Sequence, residues 1–220
     1  MNLILRIKLF IYRNWYRLFL PIINRVYIKK DKEVCGISLN DIIDSPYYES
    51  HGAYRSESVG WWMLEIVFQG INYSENIKIL DVGSGLGRIL AFFVKRNFTG
   101  HVTGIEINKN IYVICTKWSS IYPNISVIND DVFNVHLKNY DVIVLFNPMN
   151  PERTKKFIQK IELEVEKSIY VYHISDNDML DYMDKRKNWE IIKRGWIYTY
   201  KGIPIVYFPQ RYSIYKYNCQ

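Results

Sequence analysis

The segment ILDVGSGLGRIL, residues 79–90, constrains this chain more than any other stretch. Gly83, Gly85 and Gly87 stand at alternate positions between an apolar run and a second run with helical spacing. Glycine tolerates positive φ and admits a ligand against bare backbone, so the stretch reads as a tight turn from a strand into a helix. In open parallel sheets such a turn lies at the carboxyl edge, where ligands bind.

The rest of the chain fits a sheet of that kind. Strand-like runs at 77–82, 101–107, 124–130, 141–147 and 168–174 alternate with helix-like runs. The helices are expected from the glycines to about Arg96, from about Lys109 to Ser120, and from about Glu152 to Lys167. This alternation predicts a doubly wound α/β fold, a mostly parallel sheet with helices on both faces. The ending differs. NWEIIKRGWIYTY and IPIVYFPQRYSIYKY are strand-like and are split by Lys201-Gly202, which predicts a C-terminal antiparallel hairpin joined to the sheet. A helix over 56–70, capped by Ser56 or Ser58 and ended by Gly70, is expected to open the domain.

Charge is unevenly placed. The net charge is +7, and Arg6, Lys8, Arg13, Arg17, Arg25, Lys29 and Lys30 account for the whole surplus, with no acid among residues 1–30. The remainder is balanced, so the main body is not expected to bind nucleic acid. Residues 3–20 read as a hydrophobic, aromatic and basic helix that stops at Pro21. Such an arm would lie on an anionic membrane surface, pack on its own domain, or mediate a dimer. Cys35, Cys115 and Cys219 are scattered, as are the histidines, which predicts neither a disulfide framework nor a metal site and fits a reducing cytoplasm. No apolar run is long enough for a spanning helix, and charges at Arg13 and Arg17 break up any signal-peptide core. The expected division is an arm over 1–30, a connecting segment or lid over 31–55 and a domain over 56–220.

The ligand of the turn is constrained by its neighbours. No lysine follows Gly83 at the position a P-loop needs, and the third glycine comes one residue too early for the dinucleotide fingerprint. Asp81, at the strand end, would repel a pyrophosphate and attract an ammonium or sulfonium. S-adenosylmethionine carries both cations and no phosphate.

With these residues in view, LDVGSGLGR resembles the first motif of class I S-adenosylmethionine-dependent methyltransferases. GIEIN, NDDVF and LFNPMNP resemble the second, third and fourth motifs in order, and the resemblance covers about residues 56–217. It implies a seven-stranded Rossmann-like sheet and S-adenosylmethionine as cofactor, held by Asp81, Gly83, Ser84, Gly85, Gly87, Glu106, Ile107, Asp130, Asp131, Val132 and Asn147. Glu106 would accept from the ribose hydroxyls, Asp130 or Asp131 would meet the adenine amine, and Asn147 would sit beside the transferable methyl. GSGLGRIL with LFNP is also similar to small bacterial enzymes distantly related to Dot1-like lysine methyltransferases. Met149 and Asn150 depart from the (Asp/Asn)-Pro-Pro-(Tyr/Phe) pattern of amino-methylating DNA and glutamine enzymes.

Asn147 and His173 are the candidates for catalytic work: Asn147 would orient an acceptor amine, and His173 would take its proton. The segment holding Tyr47, Tyr48, His51, Tyr54 and Arg55 would fold over the cofactor or remain an ordinary polar loop. The implied reaction is methyl transfer to a nitrogen or oxygen of an unidentified acceptor: a protein lysine, a glycan, a lipid or another molecule at a membrane. A non-catalytic module that binds S-adenosylmethionine, or a nicotinamide-dependent oxidoreductase, are the alternatives.

Overall fold

The computed structural model describes residues 3–70 and 76–219, with side chains from Arg6 onward; the remaining positions of the expected arm and domain lie outside the described residues. A long helix α1 (Leu3–Cys35) is followed by two short ones, α2 (Pro46–Ser50) and α3 (Trp61–Val67). The alternating part then runs β1 (Lys78–Val82), α4 (Arg88–Lys95), β2 (His101–Ile105), α5 (Lys109–Ser119), β3 (Ile125–Ile128), β4 (Val142–Phe146), α6 (Pro151–Glu164) and β5 (Ile169–Ile174). The ending comprises α7 (Leu180–Met183), β6 (Trp189–Ile197), β7 (Thr199–Tyr200), β8 (Ile203–Pro204) and β9 (Gln210–Tyr217).

The main sheet has seven strands in the order β3-β2-β1-β4-β5-β9-β6. The first five are parallel, and β9 runs antiparallel to both β5 and β6. This is the doubly wound sheet with a terminal antiparallel pair that the alternation predicts. Strand alternation distributes the core: Ile79 belongs to the cluster that takes in residues of α1, α3, α4 and α5, whereas Leu80 and Val82 belong to the cluster that takes in residues of α6 and α7.

Three boundaries differ from the sequence reading, each for a physical reason. Helix α1 passes through Pro21 to Cys35. Proline removes one backbone donor from a helix interior, but Ile23, Tyr27, Val34 and Cys35 beyond it bury against the domain and hold the helix together. The connecting segment is correspondingly shorter. Helix α3 starts after Gly60 with no side-chain cap, so neither Ser56 nor Ser58 caps it, and it ends at Val67 rather than Gly70. The backbone of Ser56 is instead paired with Ile43, exchanging two hydrogen bonds of 2.9 Å. Lys201 and Gly202, both at positive φ, do form a hairpin turn, but it joins only the two-residue strands β7 and β8. The long partner of β6 is β9, and residues 198–209 make an excursion that packs on α1.

Candidate functional site

Strands β1 and β5 end where the sequence reading puts them, whereas β2, β3 and β4 end one or two residues short, and residues at and just beyond these strand ends form the site. Asp81 is on β1, Glu106 follows β2, Asp130 and Asp131 follow β3, and Asn147 follows β4. All lie along one carboxyl edge, as a parallel sheet requires.

The glycine turn is built as expected. Gly83, Gly85 and Gly87 have φ of 71°, 55° and 93°. A Cβ on Gly85 would come within 2.6 Å of the Ser56 hydroxyl, and one on Gly87 within 2.6 Å of both the Cys115 sulfur and the Trp118 ring. Gly85 therefore keeps backbone bare where residues 53–59 cross above, and Gly87 lets α4 start tight against α5.

The acids around the turn are buried. Asp81 is 1% exposed, and its Oδ2 has no hydrogen-bond partner among the described residues. Burial, reinforced by the nearby charge of Glu106, pushes the Asp81 carboxyl up to about 8. Glu106 accepts from the Gly85 amide at 3.0 Å, the Asn108 amide at 2.8 Å and the Tyr48 hydroxyl at 3.1 Å. Burial nonetheless raises its pKa, the bonds acting in the opposite direction. Ser84, also buried, has a hydroxyl with no hydrogen-bond partner among the described residues. Two carboxyls and a hydroxyl, with polar capacity left over, thus face a crevice of about 70 Å³ that Tyr48, residues 53–59, Ile107 and Asn147 help to enclose.

A second, more apolar recess of about 40 Å³ lies alongside, lined by Ala53, Ile107, Asp130, Asp131, Val132 and Met149 among others. Its size and walls suit one face of a planar base. The two aspartates are not free here. Arg153 donates two bonds of 2.7 Å to the Asp131 carboxylate, and Asp130 accepts from the Asp131 amide and the Asn134 side chain. Sequence reasoning missed Arg153, which lies 22 positions away on α6.

Asn147 sits at φ 44°, a left-handed conformation uncommon outside glycine, where β4 meets the turn to α6. It lines both the crevice and a larger cavity of about 1150 Å³ that opens toward α1 and residues 205–208. The departures at the fourth motif have structural explanations. Met149 is buried in the core, and Asn150 caps α6 through Arg153 while its amide bonds the Gly52 carbonyl at 3.0 Å.

His173 is not brought to this site. It pairs with Leu145 and Ser213 inside the sheet, lines neither the crevice nor the larger cavity, and is 4% exposed. Burial holds its imidazole down to about 4 against the pull of Asp176. A neutral ring inside the sheet has no route to an acceptor at Asn147, so the base role drawn from strand position is withdrawn. Its place near the carboxyl end of β5 is as expected, but burial within the sheet keeps it from lining either cavity.

The structure adds a network invisible in the sequence. Arg88, the first residue of α4, donates to Asp31 of α1 at 3.0 and 2.6 Å, to the Ser58 and Val59 carbonyls, and to Asn40. Asp31 also accepts from the Trp61 indole at 2.7 Å and the Leu39 amide at 3.0 Å. One buried ion pair thus ties the long helix, the roof segment and α3 to the helix that begins at the glycine turn. The only sequence signal was that Asp31 is the first acid of the chain.

Comparison with known proteins agrees with the fold. The family described as Methyltransferase domain matches residues 79–163, from β1 to the end of α6. Ribosomal RNA small subunit methyltransferase A of Alkaliphilus oremlandii is 33% identical over 75 residues, which is 34% of this chain and 25% of that protein. The chain thus spans a quarter of that relative's length. Among solved structures, an RNA methyltransferase from Salinibacter ruber in complex with S-adenosyl-L-homocysteine superposes with a TM-score of 0.51 at 15% identity, covering 71% of this chain and 89% of that one. The M. jannaschii tRNA m1G37 methyltransferase gives 0.53 at 19% identity, covering 77% and 52%. At these identities the two structures share the fold.

Proposed function

We propose that this chain, a class I methyltransferase domain by family match and fold, binds S-adenosylmethionine in the crevice and methylates a nitrogen or oxygen nucleophile presented beside Asn147. The observation that carries the reading is the buried, unpartnered carboxylate oxygen of Asp81 beneath the glycine turn. Such an atom costs free energy unless a ligand satisfies it. A cation is the complement of Asp81, ribose hydroxyls suit Glu106, and the apolar recess at Ile107, Val132 and Met149 suits adenine. The spare hydroxyl of Ser84 and the bare backbone at Gly85 complete the fit.

The cofactor would supply a methyl group already activated on a sulfonium. The chain's part is alignment and exclusion of water. Asn147, held in its strained conformation at the junction of the two cavities, is placed to accept from a donor on the acceptor and fix its lone pair. The larger cavity is the acceptor's approach. Its walls carry Asp44, Glu49 and Glu57 against Arg55, since the charge of Arg88 is met by Asp31. That balance favours a neutral or cationic acceptor over a phosphodiester. The relatives named above act on RNA, so an RNA acceptor is the second reading, and the expectation against nucleic acid gains no support from them. None of them points to a protein lysine.

Residues 44–59 act as the lid in this reading. Ala53 bridges to Met149, and the Tyr54 amide bonds the Pro148 carbonyl at 3.1 Å. The Tyr48 hydroxyl occupies the Glu106 oxygen that a ribose would use. Tyr48→Phe is therefore expected to tighten S-adenosylmethionine binding a few-fold, roughly the worth of one competing hydrogen bond. Weaker binding in that variant would make the phenol a ligand contact instead.

Calorimetry with S-adenosylmethionine, S-adenosylhomocysteine and NAD tests the whole proposal. The adenosyl ligands should bind and NAD should not, and Glu106→Ala should weaken binding by roughly 1–3 kcal/mol. Binding of NAD alone would end it. Transfer of tritiated methyl into fractionated cell extract then separates an enzyme from a non-catalytic binder.

A further inference from the structure

Helix α1 carries two apolar rows, and the domain uses only one. The inner row, Tyr12, Tyr16, Phe19, Ile23 and Tyr27, follows helical spacing and meets the body. The Tyr12 hydroxyl donates to the Tyr198 and Val206 carbonyls at 2.6 and 2.8 Å, Tyr16 meets the Tyr207 ring edge-on, and Ile23 and Tyr27 are buried. Roughly a third of a turn round the helix lies a second row at the same spacing. It consists of Ile7, Ile11, Trp15, Leu18 and Ile22, with Phe10 beside it, all between 45% and 71% exposed.

The outer row does not end in neutral surface. Continued along the same face it becomes Arg25, Lys29 and Lys32, all exposed, and Arg6, Lys8 and Arg17 are exposed along its apolar half. No acid precedes Asp31. A contiguous exposed stripe of large apolar side chains marks a surface with a partner, and this partner must present apolar matter bounded by negative charge.

We propose that the outer face of α1 docks the protein on an anionic phospholipid bilayer, lying in the headgroup layer with the row from Ile7 to Ile22 in the acyl boundary. Among the described residues no helix is long and apolar enough to cross a membrane, so the contact is with one surface. An amphipathic helix with aromatic and aliphatic residues on one side and cations flanking them is suited to that position. A second copy of the chain is a poorer match, because it would set the same basic surplus against itself. RNA would satisfy the cations but leave the aliphatic row without a partner. The docking does not depend on methyl transfer. It would place the larger cavity, whose lining includes Tyr16, Leu20 and Ile23 of the same helix, next to the lipid surface.

The test is flotation of the full chain with vesicles of mixed phosphatidylglycerol and phosphatidylcholine, and with pure phosphatidylcholine. The protein should float with the anionic vesicles and far less with the neutral ones. The triple variant Phe10→Ser, Trp15→Ser, Leu18→Ser should lower partitioning at least roughly tenfold, with an unchanged circular dichroism spectrum and melting temperature, because these side chains are exposed. Arg25→Gln with Lys29→Gln should lower it further on anionic vesicles alone. Failure of the unaltered chain to float, or equal flotation of the triple variant, overturns the proposal. So does a solution dimer that the triple variant dissociates in the absence of flotation, which assigns the stripe to a second copy. An RNA gel shift abolished by the triple variant, again without flotation, assigns it to RNA. S-adenosylmethionine binding measured on the same variants should not change, which keeps this outcome separate from that of the cofactor site.

Discussion

Replacing Asp31 with alanine is expected to destabilise the protein by roughly 3–5 kcal/mol, the cost of leaving a buried charge without its partner. Asp31 is fully buried and Arg88 is 2% exposed. Removing the carboxylate leaves a guanidinium in the interior with only the Ser58, Val59 and Asn40 oxygens, and also strands the Trp61 indole N–H and the Leu39 amide. Arg88→Met should cost a similar amount by leaving the acid uncompensated. The double variant Asp31→Leu, Arg88→Met should recover much of either loss, because the penalty is that of one unpaired buried charge rather than of the missing pair. Urea unfolding of the three variants gives the coupling directly. A loss under about 1 kcal/mol for Asp31→Ala would mean that water reaches this pair and the network is not the clamp its geometry indicates.

The same pair explains where reading the sequence stopped. Asp81, Glu106 and Asn147 were legible because each belongs to a local pattern: an apolar run ends, a turn begins, and parallel topology carries every strand end to one edge. Asp31 and Arg88 are 57 positions apart, and no local pattern joins them. Pro21 was read as a stop because local chemistry opposes helix there. Tertiary burial of Ile23, Tyr27 and Val34 outweighs one lost backbone bond. The run 203–217 was read as one strand-like stretch, split from its partner only at Lys201-Gly202. Two prolines, Pro204 and Pro209, and the contacts of Tyr207 and Phe208 with Arg13 divide it. His173 stands near the carboxyl end of β5, as its place in the sequence indicates, yet burial within the sheet, which no local pattern reveals, keeps it out of both cavities.

The second large effect is on pH. The affinity for S-adenosylmethionine is expected to rise roughly 50-fold between pH 6 and pH 8, because a carboxyl that titrates near 8 is about 1% ionised at the lower value and about half ionised at the upper. In the free protein Asp81 titrates at about 8 against its ordinary 3.8, burial being the main cause and Glu106 the second. A raised acid stabilises the fold fully below its unfolded pKa, and that contribution is lost as pH rises through the folded value. The free protein should therefore lose stability toward pH 8 as the buried carboxylate is forced to ionise without a partner. A cationic ligand reverses the preference by supplying the partner, so binding below pH 8 should expel about one proton. Calorimetry in buffers of different ionisation enthalpy counts that proton. Asp81→Asn should bind more weakly at pH 8, release no such proton and flatten the profile. S-adenosylhomocysteine, which keeps the ammonium and lacks the sulfonium, identifies which cation the carboxylate meets: a steep profile for both ligands assigns the ammonium, and a steep profile for the sulfonium compound alone assigns the methyl-bearing sulfur. A flat profile in the unaltered protein, or a slope that survives in Asp81→Asn, would remove Asp81 from the cofactor's contacts and with it the argument that charge selects this ligand.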